Sequence, residues 1–285
     1  MLCSLSVSAK DLLHQPHELF LDRLELRGFN AVHFLVPDLE QDQAGQDFLA
    51  AAERRSFAVH ARVNLMRQPV ARGTAPVNAI GQQLDGYECP SQPQAQDHCL
   101  AYCQGVSKMY PWAGIEILGL GFRNFGPRDA IAPELHFYKS ICFCSACQYG
   151  YGAAGAILEH VAREAITDLT ANPLAMVVRH PSAETMLLWR RSVQYGILRQ
   201  IREAVSIPLC LRTAAELLYT GDRSSLTFEE AKGLVAACSV SLASGDAIEL
   251  ARLTVRPRPL PIYCCLPPAD SMEISQHPMF SGSIR

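Results

Sequence analysis

Three closely spaced cysteines are the residues of this chain best suited to a defined chemistry. Cys142, Cys144 and Cys147 lie within six residues as a C-x-C-x2-C run, and Cys89 lies upstream in a Tyr-Glu-Cys-Pro sequence. Three thiols this close in sequence cannot readily pair with one another as disulfides, but they can converge on one soft cation. Zinc favours thiolate ligands and takes four ligands at tetrahedral angles. The spacing therefore predicts a zinc site with three ligands from this run and a fourth from elsewhere.

More than one cysteine could supply the fourth ligand. The cysteines could also cluster without binding a metal. Cys89 can complete the set, but Cys99 and Cys103 lie one helical turn apart and could replace or supplement it. The thiols could also form a buried, metal-free cluster, although three thiols within six residues are then exposed to oxidation chemistry. Four sulfur ligands leave no open coordination position, so the ion would be structural rather than catalytic.

The surroundings of these cysteines resemble a known zinc site. A Cys-Pro-Ser-Gln-Pro turn begins at Cys89, a helix and a strand follow, and Cys142, Cys144 and Cys147 come next. This order resembles the zinc-containing β-galactosidases of glycoside hydrolase family 42 and their uncharacterised barrel relatives. The resemblance implies that these four cysteines bind a structural Zn2+ ion. Over the rest of the chain it rests on the order of elements alone.

The resemblance also implies two catalytic carboxylates, and neither stands where the family has it. The family places an Asn-Glu pair at the end of the fourth strand and a nucleophilic Glu at the end of the seventh, as a retaining mechanism requires. Here Gly114–Asn124 contains no Asn-Glu pair, and Pro261–Pro267 contains no carboxylate. Glu116, several residues before the end of its segment, is the best candidate acid, and it has no identified partner.

Glu116 supports two interpretations. It is flanked by Ile115 and Ile117 on a strand candidate, and burial there would raise the pKa of the carboxyl group, as suits a general acid. The alternative is a structural ion pair with Arg62 or Arg212, which lie on neighbouring strand candidates. The structural interpretation is the stronger of the two, because a buried carboxylate requires a partner.

Other polar residues lie near the carboxyl ends of strand candidates, where barrel enzymes place their chemistry. Asp38, Asn64 and Arg212 are therefore predicted to line a substrate pocket, although Asp38 could instead cap the next helix. His60 alternates with apolar residues and shares a face with Arg62, which favours an interior histidine over a catalytic base. Cys264 and Cys265 lie in an apolar run that argues against a reactive thiolate.

The elements that must position these residues alternate along the chain. Short apolar strand candidates, beginning at Leu2–Val7, are followed by amphipathic helical stretches, and six or seven such units can be recognised. Strands that alternate with helices predict a parallel sheet. We expect an α/β fold of the (β/α)8 TIM-barrel type, either complete or in an incomplete form with six or seven units. A doubly wound open sheet is the alternative, but no G-x-G-x-x-G sequence follows the first strand. Residues 1–268 are predicted to form one domain, and residues 269–285 a polar tail.

The composition excludes several classes of protein. The chain has 285 residues and a formal net charge of −3, with no basic block, which disfavours nucleic-acid binding. It contains no run of 18 apolar residues, so we expect no membrane span. No signal peptide is evident, and eleven cysteines without one favour a reducing, cytoplasmic location.

The resemblance and the missing carboxylates lead to two functional hypotheses. The first is a glycoside hydrolase-like barrel with a structural zinc that acts on or binds a carbohydrate. The second is a non-catalytic descendant of that fold that serves as a sugar-binding or protein-interaction module. A barrel enzyme of unrelated chemistry is a third alternative, because this fold hosts many activities.

Overall fold

Seven parallel strands form a closed barrel in a computed structural model of the chain. The strands are β1 (Leu2–Val7), β2 (Ala31–Leu35), β3 (Ala58–Asn64), β4 (Gly114–Leu118), β5 (Leu209–Thr213), β6 (Ala237–Ser241) and β7 (Ile262–Leu266). The structure describes residues 2–7, 12, 16–29, 31–36, 43–66, 73–84, 86–122, 141–167, 181–213, 226, 228–241 and 262–266.

The barrel closes because the first strand pairs with both the second and the last. Ser4 is in register with Ala31 of β2 on one side and with Cys265 of β7 on the other. Every other strand pairs with its neighbours in chain order, always in parallel. The parallel α/β arrangement expected from the sequence is confirmed. The eighth strand of a (β/α)8 barrel is not among the residues that the structure describes.

Helices connect the strands, as the alternating pattern predicted. They are α1 (His17–Leu26), α2 (Gln43–Arg54), α3 (Pro93–Met109), α4 (Ser145–Tyr151), α5 (Ala154–Thr167), α6 (Pro181–Ala204) and α7 (Phe228–Ala231). The sequence did not predict α4, which starts directly after Cys144 and contains Cys147. Within the described ranges no helix is long and apolar enough to cross a membrane.

The main hydrophobic core lies between the barrel and its helices. Alternation along β3 turns Val59, Ala61 and Val63 outward, and all three are buried. On the neighbouring strand the ring of Phe34 stacks on that of Phe48 in α2, with centroids 5.9 Å apart. The apolar outer faces of β2 and β3 therefore pack against the helical layer.

The opposite face of the strands is polar and fills the barrel interior. The residues that alternate with the apolar set on β3 are His60, Arg62 and Asn64. Gly114 of β4 leaves room for this interior, because a Cβ at that position would lie 2.9 Å from Nδ1 of His60 and 2.8 Å from the carbonyl oxygen of Pro208. The described interior of the barrel is thus a buried polar centre and not a hydrophobic core.

A second hydrophobic cluster lies outside the barrel. It joins the cysteine run and α4 to α5 and α6, through side chains such as Tyr151, Leu158 and Met186. The predicted polar tail, residues 269–285, lies outside the described residues, so the single-domain boundary at 268 stays a prediction.

Candidate functional site

Four cysteine sulfurs converge in the second hydrophobic cluster. The Sγ atoms of Cys89, Cys142, Cys144 and Cys147 all lie within 4.8 Å of one another, and all four residues are buried. Sγ of Cys89 lies 3.5 Å from that of Cys147 and 3.7 Å from that of Cys144. A tetrahedral ion with metal–sulfur bonds of about 2.3 Å separates its sulfurs by about 3.8 Å, whereas a disulfide requires about 2.0 Å. The cluster therefore has the geometry of a four-sulfur metal site and can hold a metal ion.

Backbone hydrogen bonds fix the two segments that supply the sulfurs. The N–H of Cys89 donates to the carbonyl oxygen of Thr74 at 2.8 Å, which holds the Cys-Pro turn against the segment after β3. The N–H groups of Val77 and Cys144 lie 3.3 and 3.5 Å from Sγ of Cys142, which accepts from both. Hydrogen bonds of this kind stabilise a thiolate, as a metal ligand requires.

The two alternative ligands lie elsewhere. Cys99 and Cys103 are buried on α3 within the main core, and Sγ of Cys99 faces the carbonyl oxygen of Leu65 at 3.7 Å. The cluster that could hold a metal contains Cys89 and neither of them. The structure thus brings Cys89 to the C-x-C-x2-C run, and its role as the fourth metal ligand stays a prediction.

A buried arginine accompanies the cysteine cluster. Arg190 of α6 is almost completely buried, and its guanidinium lies 4.4 Å from the centroid of the Phe122 ring. It is close enough to Cys142 and Cys147 to interact with them electrostatically. A positive charge here would offset part of the negative charge of four thiolates if the cluster held a divalent ion. Sequence reasoning did not single out Arg190 as a neighbour of the cysteines.

Inside the barrel, Glu116 is surrounded by polar side chains from four other strands. Its Oε2 accepts a short hydrogen bond from Nε of Arg62 and lies 2.9 Å from Nδ1 of His33. Its Oε1 accepts a short hydrogen bond from Oγ of Ser239 and lies 3.3 Å from Nη1 of Arg212. Glu116 therefore forms the ion pairs with Arg62 and Arg212 that the structural interpretation expected, and its catalytic role stays a prediction.

These neighbours reverse the expected ionisation of Glu116. Burial by itself raises the pKa of the carboxyl group, but contact with His33 and the positive charge of Arg62 outweigh it and hold the pKa well below its usual range. The expectation of a raised pKa was therefore wrong, because it considered the isoleucine neighbours and omitted the cross-strand cations. Glu116 is a carboxylate at neutral pH and has no proton to donate.

Two interior histidines, one of them the Glu116 partner His33, form a stacked pair. The rings of His33 and His60 lie 4.8 Å apart at an angle of 21°. Burial, aided by the neighbouring His33, lowers the pKa of His60 to about 4. His60 is therefore neutral at pH 7, in agreement with its interpretation as an interior histidine.

The structure places two of the three predicted pocket residues at the carboxyl ends of strands. Asn64 is the last residue of β3, and Arg212 is the penultimate residue of β5. Both are partly exposed, and Arg212 also contacts Glu116. Asp38 lies outside the described residues, so its place in a pocket stays a prediction.

Two members of the network were missed by sequence reasoning. His33 lies between Val32 and Phe34 on β2, and Ser239 lies between Cys238 and Val240 on β6. The same period-two pattern that identified Glu116 could have found them, because an isolated polar residue in a buried strand points into a polar interior.

Comparisons with known proteins place the fold among glycoside hydrolases. No family model and no curated protein matches the chain. It is similar to the PgaB (BpsB) glycoside hydrolase domain from Bordetella bronchiseptica, with 11% identity and a TM-score of 0.55, over 99% of this chain and 97% of that one. It is also similar to β-galactosidase from the psychrophilic Marinomonas ef1, with 9% identity and a TM-score of 0.54, and to the catalytic domain of β-amylase from Paenibacillus polymyxa, with 9% identity and a TM-score of 0.50.

These similarities show a glycoside hydrolase-like fold and no more. The matched region covers 85% of this chain but only 41% of the β-galactosidase. The β-amylase match covers 84% of this chain and 76% of that domain. The narrower resemblance to glycoside hydrolase family 42 stays a prediction.

Proposed function

We propose that this chain is a glycoside hydrolase-like barrel that binds a carbohydrate at the carboxyl ends of its strands without using Glu116 as an acid. The observation that supports the proposal is the state of Glu116, the only buried carboxylate among the barrel residues that the structure describes. It is ionised, fully buried and engaged on both oxygens. The sugar-binding alternative therefore ranks ahead of the hydrolase.

Glycosidase chemistry makes demands that this carboxylate does not meet. A general acid must hold a proton and reach the leaving-group oxygen, and both oxygens of Glu116 are already occupied by donors. A retaining mechanism also needs a second carboxylate about 5 Å away. The other buried carboxylate in the described ranges, Glu88, lies beside the cysteine turn, where it contacts His98 and Thr74.

The proposed role of the cysteine cluster is to hold a structural zinc ion. Four buried sulfurs at tetrahedral spacing suit zinc, and a complete sulfur shell leaves no position for a substrate. Cys89 belongs to the segment after β3, Cys142 and Cys144 directly precede α4, and Cys147 lies on α4. The ion would therefore link two of the segments that connect the strands of the barrel.

The environment of the protein is also proposed from its cysteines and charge. Eight cysteines in the described residues are buried free thiols, a state that the reducing cytoplasm preserves. A net charge of −3 gives little attraction for a nucleic-acid backbone or an anionic membrane, so we propose a carbohydrate as the ligand and neither of these as a partner.

A sugar-binding screen combined with a turnover assay tests the proposal. Thermal unfolding is recorded with a panel of neutral and acidic mono- and disaccharides, and bound disaccharides are then incubated and checked for cleavage. We expect at least one sugar to raise the unfolding temperature and to be recovered intact. Cleavage that is lost in a folded Glu116→Gln variant would show that Glu116 is catalytic. No stabilisation by any sugar would contradict a carbohydrate-binding role.

A further inference from the structure

The described interior of the barrel carries more positive than negative charge. Arg62 and Arg212 both face Glu116, which supplies the one carboxylate of the network. His60 is neutral at pH 7 because its pKa is about 4. One arginine charge is therefore not balanced by a carboxylate among these residues.

The arginines also retain donors that the network does not use. Arg62 is more than nine-tenths buried, and its Nε donates to Glu116. Its Nη2 is buried and has no hydrogen-bond partner within the described residues. Arg212 contacts Glu116 through Nη1, and its side chain is 18% exposed. A guanidinium has five N–H donors and suits two-pronged recognition of a carboxylate or phosphate.

In contrast to these arginine donors, a hydrogen-bond acceptor lies on the same face of β3 as Arg62. Oδ1 of Asn64 is buried and has no hydrogen-bond partner in the described part of the chain. Asn64 is two residues beyond Arg62, nearer the carboxyl end of the strand, at a spacing of about 7 Å. In the strand register Asn64 lies opposite Leu118, two residues beyond Glu116, and Arg212 lies two residues beyond Cys210, which pairs with Glu116. Both therefore lie closer to the barrel mouth than Glu116 does.

We infer that the barrel mouth binds an anionic sugar, with Arg62 and Arg212 donating to its carboxylate or phosphate group and Asn64 Oδ1 accepting from a hydroxyl group. A buried donor without a partner is costly, and an anion would satisfy it. The acceptor of Asn64 would repel a bare anion and favours a ligand that also carries hydroxyl groups. The inference rests on the proposed carbohydrate-binding function and specifies its ligand class.

Three sugars that differ only at carbon 6 test this inference by calorimetric titration. D-galacturonate has a carboxylate there, D-galactose 6-phosphate a phosphate, and D-galactose a hydroxyl group. We expect at least one acidic sugar to bind about tenfold or more tightly than D-galactose, since charged hydrogen bonds are stronger than neutral ones. The binding should weaken as salt is raised from low to physiological concentration. The carboxylate and phosphate arms identify which anionic group is preferred.

Matched variants test whether Arg212 and Asn64 are responsible for the preference for acidic sugars. Arg212→Met removes the partly exposed charge and should lower the affinity for the preferred acidic sugar about tenfold or more. Asn64→Asp, which is nearly isosteric, places a negative charge beside the anion and should lower it as well. Arg199→Met is the control, because that arginine is 59% exposed on α6 and pairs only with its helical neighbour Glu203 among the contacts of the described residues. Thermal unfolding of each variant separates lost binding from lost folding, and Asn64→Asp serves if Arg212→Met does not fold.

The outcomes separate this inference from the proposed function. D-galactose binding as tightly as both acidic sugars would overturn the anionic preference and leave carbohydrate binding in place. Inorganic phosphate binding as tightly as D-galactose 6-phosphate would show a simple anion site and overturn the assignment of a sugar. Wild-type affinity in both Arg212→Met and Asn64→Asp would overturn the location. If none of the three sugars bound, the inference would fall, and the wider sugar screen would decide the proposed function.

Discussion

Glu116 shows how strongly neighbouring strands control the chemistry of one side chain. On its own strand it lies between two isoleucines, which suggests a protonated acid. Across the barrel it meets two guanidinium groups, a histidine and a hydroxyl group, which together keep it ionised. The carboxylate is thus the negative centre of the barrel interior.

Removing this charge should destabilise the protein. Glu116→Gln leaves the buried Arg62 and the partly exposed Arg212 without the carboxylate that both contact, and we expect the free energy of unfolding to fall by about 3–5 kcal/mol. Urea denaturation measures the change. Glu203→Gln, at an exposed position on α6, is the control and should stay within about 0.5 kcal/mol of the parent. Equal stability of the two variants would mean that the network around Glu116 does not hold the barrel together.

His60 should make stability depend on pH. Its pKa is about 4 in the folded protein against 6.5 in the unfolded chain, so the unfolded state binds a proton first as the pH falls. The stabilisation is complete above pH 6.5, and about 3 kcal/mol is lost between pH 6.5 and pH 4. The low pKa of Glu116 acts in the same direction but begins only below its unfolded value of 4.5.

The two groups can be separated by measuring stability in steps from pH 7 to pH 4. In His60→Gln we expect the decline between pH 6.5 and pH 4.5 to flatten, while the decline below pH 4.5 remains. A His60→Gln curve parallel to that of the parent over the whole range would show that His60 is not the group that titrates.

The cysteine cluster and α4 form a unit that a metal ion should stabilise. We expect purified protein to contain about one zinc ion per chain, and less than about 0.2 would contradict the site. Cys144→Ser should remove the metal and lower the unfolding temperature, and a chelator should do the same to the parent. Cys99→Ser is the matched control, because it alters a buried thiol that lies outside the cluster and should leave the metal content unchanged.

The contact of α4 with α6 leaves no room for a side chain at Gly150. A Cβ there would lie 2.0–2.4 Å from atoms of the rigid Trp189 indole. Gly150→Ala should therefore cost about 1–3 kcal/mol of unfolding free energy. Gly105→Ala on α3 is the control, because a Cβ there meets nothing within 4 Å and alanine favours a helix, so stability should rise by up to about 1 kcal/mol. Similar effects of the two substitutions in thermal unfolding would contradict the packing of α4 on α6.

For the molecule as a whole, local patterns predicted the elements better than the centre that they build. The apolar alternation of Val59, Ala61 and Val63 identifies β3 because burial on one face imposes a period of two. The cysteine spacing identifies the metal cluster because its ligands are nearly adjacent in sequence. Arg62 could be named as a partner for Glu116, since both lie on neighbouring strands.

The interior network depends instead on closure of the barrel. Ser239 lies 123 residues from Glu116 in the chain and meets it only when β6 comes round to face β4. The burial of Arg190 similarly depends on how α6 packs against Phe122 and the cysteine cluster. Such contacts are set by tertiary packing, which no local spacing records.

A crystal structure of the protein soaked with a disaccharide from the binding screen tests this account of the barrel. We predict an intact disaccharide at the carboxyl ends of the strands, in contact with Asn64 or Arg212, with Glu116 still bound to Arg62 and Ser239. A cleaved sugar with the Glu116 carboxyl group against the former glycosidic oxygen would contradict the account, as would a sugar bound away from the barrel mouth.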